Sequence, residues 1–176
     1  MKAIIEEDSF SVHEVSSLEE LLTIVDEVYP NKLCEGDLFY KINLEEQFIF
    51  GLAANDYGAK IKVARLDYDK YLIIESDTFY VIDLEKQDIF HQSDAEFIID
   101  FVLLDDKVIM ITDLSLNVYS SEDFIKLWTF TFDDLVADYF VDDEKISLTF
   151  KDSDQEITID MQLGIMDSNF DETYTY

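Results

Sequence analysis

The chain has 176 residues, 48% of them hydrophobic and 14% aromatic, with 41 acids against 12 bases and a formal charge of −29. That apolar content is enough to bury a core and argues against a disordered acidic chain. The negative field repels phosphate backbones, which argues against direct nucleic-acid binding, and it draws basic proteins into encounter.

Cys34 is the lone cysteine and cannot form an internal disulfide, so nothing requires an oxidising compartment. The opening MKAIIEEDSF lacks the apolar run of a secretory signal. The most apolar window, residues 97–104, is interrupted by Asp100 and is too short to cross a bilayer. The expectation is a cytoplasmic protein with no membrane partner.

Residues 2–6 read as a short strand. Ser16 and Glu19 stand at capping-box spacing. Leu18, Leu21, Leu22, Val25 and Val28 then form a one-sided helical stripe, predicting a helix over about 17–28. It should stop near Tyr29-Pro30, because a residue before proline is pushed out of the α region. Packing on the core is the plain reading of this stripe; a partner-binding helix is the sharper one.

From Asp37 onward the hydrophobic period changes to two. Residues 77–90, DTFYVIDLEKQDIF, nearly copy residues 37–50, DLFYKINLEEQFIF, with nine of fourteen positions identical at an offset of 40. A fixed period of this kind marks a repeat architecture. Residues 100–108 align without gaps onto 138–146, so acidic turns ending in Lys70, Lys107 and Lys145 recur every 37 or 38 residues. After each comes an apolar strand (71–74, 108–111, 146–150) and then a second strand (79–83, 116–120, 156–161). Third strands follow turns at 43–47, 83–87 and 120–124, and residues 97–104 and 135–141 read as fourth strands. Large aromatics alternate with threonines from Trp128 to Phe132, as half-buried strands require.

Four short antiparallel strands every 37 to 40 residues is the organisation of a propeller blade. On these residues the chain resembles the quinoprotein-like and WD-type β-propeller repeats over roughly 37–161, without a Trp-Asp or Gly-His dipeptide. The predicted fold is mainly β: an antiparallel meander of about 13 strands in propeller-blade-like repeats, as an open or partial propeller with one N-terminal helix. A β-sandwich is the alternative. One repeat domain is expected over 1–166, followed by an acidic, aromatic tail over 167–176.

The residues that could carry chemistry are sparse. A Ser or Cys nucleophile needs an adjacent base, and His13 and His91 lie in no recognisable motif. The four glycines stand alone, so no phosphate loop exists, and one cysteine with two distant histidines makes no zinc pattern. Asp152, Asp154 and Glu156 are spaced like the start of a calcium loop, but Ile157 stands where such a loop needs glycine. No enzyme activity and no cofactor are expected.

What remains is charge ordered by topology. In an antiparallel meander alternate turns emerge at one end, which would gather Asp67, Asp69, Asp105, Asp106, Glu122, Asp123, Asp142, Asp143 and Glu144 as a partner-binding edge. The plainer reading is that these carboxylates keep an aromatic-rich β-protein soluble and discourage edge pairing. The sharper reading is a module that occludes a basic partner. The small, acidic profile without catalytic groups is similar to that of bacterial toxin-immunity proteins, which implies a toxin, for example a nuclease, as the partner. A DNA mimic, with Asp152, Asp154 and Glu156 opening a row of carboxylates, and a propeller-like scaffold are the alternatives.

Overall fold

The structure is a computed structural model that describes residues 2–29, 36–45, 47–54, 60–93, 96–142, 145–161 and 165–167. It falls into two compact units, Met1–Asp94 and Ala95–Tyr176. Each unit holds two β-sheets.

The first unit opens with β1 (Lys2–Glu6), β2 (Phe10–Val15), α1 (Leu18–Ile24), β3 (Val28–Tyr29), β4 (Leu38–Leu44) and β5 (Phe48–Ala54). They build the first sheet in the order β1-β2-β4-β5-β3, antiparallel except for β3, which runs parallel to β5. The second sheet is a plain meander of β6 (Lys62–Asp67), β7 (Lys70–Glu75), β8 (Thr78–Asp83) and β9 (Asp88–Ser93). In the second unit, β10 (Ile98–Leu103), β11 (Lys107–Thr112), β12 (Ser115–Ser120) and β13 (Lys126–Thr131) form the third sheet. The fourth comprises β14 (Val136–Asp142), β15 (Lys145–Phe150), β16 (Glu156–Asp160) and β17 (Ile165–Asp167). The fold is thus mainly β: a five-stranded sheet that carries the one helix among the described residues, followed by three four-stranded antiparallel sheets.

The described residues hold seventeen strands where the sequence placed about 13. The expected 13 begin at the repeat and leave out the hairpin β1–β2, while the two-residue β3 and the three-residue β17 are too short to show alternation. The phase of the blades also differs. Residues 97–104 and 135–141, read as fourth strands of a preceding repeat, are the first strands of the following sheets, pairing with β11 and β15. Each of these first strands contains a bulge at an aspartate that precedes an aromatic residue. Asp100 and Asp138 accept the N–H of Phe101 and Tyr139 at 2.9 Å. Asp67 does the same for Tyr68 at 2.7 Å beside the bulge of β6.

Helix α1 ends four residues before the predicted stop, and its cap is Ser17 rather than Ser16. The Ser17 hydroxyl accepts the N–H of Glu20 at 3.2 Å, while the Glu20 carboxylate takes both the N–H and the hydroxyl of Ser16. Ser17 and Glu20 thus make one half of a capping box, and the Glu20 carboxylate reaches one residue further back, to Ser16. The chain leaves the helix at Val25 because Glu27 and Val28 are drawn onto β5, where the Gly51 N–H donates to the Glu27 carbonyl at 2.7 Å. Leu21, Val25 and Val28 pack with Val15 and Ala53 on the outer face of the first sheet. A helix this short is not stable alone, so this packing is what holds it.

The core of the first unit lies between its two sheets. Tyr40, Ile42 and Leu44 of one repeat copy share it with Tyr80 and Ile82 of the other. In the second unit Ile109, Ile111, Leu116 and Val118 of the third sheet meet Ile146, Leu148, Phe150 and Ile159 of the fourth. Across that core the Tyr139 hydroxyl donates to Asp100. Burial, and then the Asp100 carboxylate, push the Tyr139 phenol up to about 12.

The fourth sheet differs from the third on its far side. In the third sheet the cross-strand set Val102–Ile109–Val118 and the pair Ile111–Leu116 face the core. At the corresponding register the fourth sheet has Phe140–Ser147–Thr158 and Thr149–Glu156, which face away from it. A polar outer face is what a capping unit of a repeat array presents.

Among the described residues one carboxylate is buried, and it is not paired with a cation. Glu75 is 6% exposed at the end of β7, and the hydroxyl of Ser76 donates to it at 2.5 Å. Ser76 adopts a left-handed φ of 53°, which closes the two-residue hairpin to β8 without a glycine. Burial pushes the Glu75 carboxyl above its ordinary value, the Ser76 hydrogen bond opposing and the Asp77 charge adding to the rise.

Two predictions follow from this packing. A Cβ on Gly51 would lie 2.8 Å from Leu21 Cδ2 and 2.9 Å from Val28 Cγ2. Gly51→Ala should therefore lower stability by roughly 1–3 kcal/mol in urea unfolding, as overpacking does. Because the folded Glu75 binds its proton more tightly than the unfolded one, its charge destabilises the fold above its raised pKa, and this loss is relieved as pH falls through that pKa. Glu75→Gln, which keeps an acceptor for Ser76, should melt higher than the parent at pH 7–8, with the gap closing towards pH 4.5. A gap that does not change with pH would show that the charge is not its cause.

Candidate interaction surface

Lys70, Lys107 and Lys145 each open the second strand of their sheet, opposite Asp83, Ser120 and Asp160 of the third. The recurring lysine thus marks one structural position, next to the first turn of the second, third and fourth sheets. That turn is hydrogen-bonded to the second turn at the same end. The Leu84 N–H donates to the Asp69 carbonyl at 2.8 Å in the second sheet, and Ser121 N–H to the Asp106 carbonyl at 3.0 Å in the third. The first sheet repeats the arrangement with the Glu45 N–H on the Ser9 carbonyl at 2.7 Å.

These bonds bring acids together within each unit. In the third sheet Asp105, Asp106, Glu122 and Asp123 are all exposed on adjoining turns. The second turn is braced from inside, with the Ser120 hydroxyl accepting the Glu122 N–H at 3.2 Å and Asp123 accepting the Ile125 N–H at 3.2 Å. In the second sheet Asp67 is exposed and Asp69 half-buried on one turn, beside Glu85 and Lys86 on the next. Asp142 is exposed at the end of β14, opposite Lys145. Asp143 and Glu144 lie outside the described residues, as does the tail over 168–176.

The first sheet adds two acids that sequence reasoning did not place, Glu7 and Asp8, and puts Glu45 on the turn expected at 43–47. Glu7 and Asp8 occupy the β1–β2 turn and Glu45 the β4–β5 turn. Glu45 accepts the hydroxyl of Tyr71 at 2.5 Å and lies 3.5 Å from the Arg65 guanidinium, which ties the turn ends of the first two sheets together. Arg65 also donates to the carbonyls of Asp67 at 3.2 Å and Tyr68 at 2.6 Å, and stacks over the Tyr68 ring. The alternation of Phe10 and Val12 with polar neighbours was the available signal for β2 and hence for its turn.

A buried polar chain threads the third sheet. Glu96 accepts hydroxyl hydrogen bonds from Thr112 and, at 2.6 Å, Ser115. Asn117 donates to Ser115 at 3.0 Å and accepts from Lys126 at 3.0 Å and Thr129 at 2.8 Å. Each of these hydroxyls and the Asn117 amide has a hydrogen-bond partner, so the chain knits neighbouring strands together.

Asp152 and Asp154 precede β16 and lie in the connecting turn, where the Asp152 N–H is held by Asp134 at 2.9 Å. Strand spacing therefore does not order them into a row with Glu156. Among the described residues no group of three or more His, Cys, Asp or Glu is arranged to hold a metal ion. No helix among them is long and apolar enough to cross a membrane.

No family model matches the chain, and no curated protein matches it in sequence. Solved structures do resemble it. Against BamB from Moraxella catarrhalis the TM-score is 0.53 at 14% identity, covering 73% of this chain and 42% of that one. Against the N-terminal domain of Nup159 it is 0.53 at 12% identity, covering 96% and 52%. A Saccharomyces cerevisiae Dbp5 complex with Nup159 and Gle1 gives 0.54 at 10% identity, covering 96% and 52%. The chain thus spans about half the length of the structures it resembles. The resemblance is one of fold: the chain is built like a β-propeller.

Proposed function

We propose that the chain is a propeller-type scaffold that binds a basic protein through the acidic turn ends of its sheets and catalyses no reaction. The observation that supports this best is the backbone hydrogen bonding between neighbouring turns, which holds Asp105, Asp106, Glu122 and Asp123 side by side and exposed. Preformed turns bring charge to a partner with little further ordering, and so favour fast, steered association. An immunity protein that neutralises a bacterial toxin, such as a nuclease, is a narrower form of this reading; it rests on size and charge. A DNA mimic asks for ordered rows of carboxylates, and the position of Asp152 and Asp154 does not supply one.

The test uses the immobilised chain to capture a basic protein from its source cells. Association should slow at least about tenfold as salt rises from 50 to 500 mM, as steered encounters do. Reversing Asp105, Asp106 and Glu122 to Lys should slow it further than the equal reversal of Asp133, Asp152 and Asp154, exposed at the opposite end. An on-rate indifferent to salt, or equal losses in the two variants, would overturn the reading.

A further inference from the structure

The outer face of the fourth sheet keeps one side chain that its fold does not use. Phe140 is 67% exposed in the middle of β14. It stands across from Ser147, whose hydroxyl is hydrogen-bonded to that of Thr158 at 3.0 Å, so the two neighbouring strands are satisfied without it. At the corresponding register the third sheet has Val102, packed on the core. The other positions of this set have turned polar on the outer face, whereas this one has become a larger apolar group. A single exposed hydrophobe is ordinary; one held among the polar outward positions of β14, β15 and β16, where the repeat has shed its apolar residues, is not explained by packing.

Its surroundings are acidic. Asp138 and Asp142 are exposed two residues to either side on the same face, about 7 Å away along the strand. Glu156 and Asp160 lie on that face on β16, and Lys145 of β15 stands between Asp142 and Asp160. An aromatic group ringed by charges is the usual layout of an interface anchor. A second copy of the chain is a poor occupant, because it would set these carboxylates against their own kind. The free edge of β14 is a poor template for strand addition, since Asp138 already holds the Tyr139 N–H.

We propose that Phe140 anchors the basic partner, and that this face takes an amphipathic basic segment. Its apolar side chains cover the ring and its Lys or Arg groups reach Asp138 and Asp142. The inference rests on the acidic-binder reading and adds to its turn-end acids an apolar contact on the outer face of the fourth sheet.

Phage-displayed random peptides panned on the immobilised full chain supply the probe. Recovered peptides should combine Lys or Arg with apolar residues. Calorimetry should show at least about tenfold weaker binding to Phe140→Ala, as expected for an anchor, and unchanged binding to Phe90→Ala, which removes an exposed phenylalanine from the first unit. Reversal of Asp142 to Lys should weaken binding as well, with circular dichroism unchanged in all three variants. Peptides that bind Phe140→Ala within about twofold of the parent overturn the anchor. If those peptides are instead weakened by the reversal of Asp105, Asp106 and Glu122, the acidic-binder reading stands and only the anchor falls. If no peptide recovered is basic, both fall.

Discussion

The burial of one apolar face of each sheet against its neighbour holds each unit together. The strands are too short to be stable as isolated hairpins, and the turns have almost no glycine to shape them. Each fully buried Ile, Leu, Val or Phe contributes about 1.5–3 kcal/mol relative to exposure. Ile42, Leu44, Tyr80 and Ile82 in the first unit, and Ile111, Leu116, Ile146 and Leu148 in the second, make that contribution jointly across two sheets. Conformations that would otherwise be costly, such as the left-handed Glu45, Ser76, Gln87 and Phe124, persist because the strands on either side are fixed by this packing.

The same constraint explains how a chain of charge −29 stays folded. With both strand faces or one face claimed by the cores, carboxylates are left to turns, strand ends and outer faces, where water and salt screen them. Several are put to structural use there: Asp67, Asp100 and Asp138 hold backbone N–H groups at bulges, Asp83 pairs with Lys86, and Glu45 organises Tyr71 and Arg65. Glu75 is the exception, buried beside a serine rather than a cation. The surface left over is strongly acidic at the turn ends, and on the fourth sheet it surrounds one exposed aromatic ring.

Much of this organisation was readable from residues alone. The copied motif of residues 37–50 and 77–90 announced strand–turn–strand units, and the lysines 70, 107 and 145 announced their spacing. Each of those lysines opens an equivalent strand. What the repeat could not reveal was its phase. The residues aligned between copies say that two stretches have the same local form, but not with which neighbour each strand pairs. Residues 97–104 carry the same alternation whether they close one blade or open the next, and the bulge at Asp100 that fits them to β11 leaves only an aspartate before a phenylalanine as its trace. The helix was legible by its stripe, yet its stop at Ile24 was set by a parallel pairing of Val28 with Gly51 far along the chain.

The sequence by itself determined the class of secondary structure, the length of the unit and the sign of the surface, because period-two alternation, self-similarity and net charge are properties of the chain order. The tertiary structure alone decided which turns adjoin, that the two copies of the Tyr-x-Ile-x-Leu pattern share one core, and that Phe140 faces out where Val102 faces in. Those outcomes depend on which sheet lies against which face, and side chains separated by tens of residues settle that only when they meet.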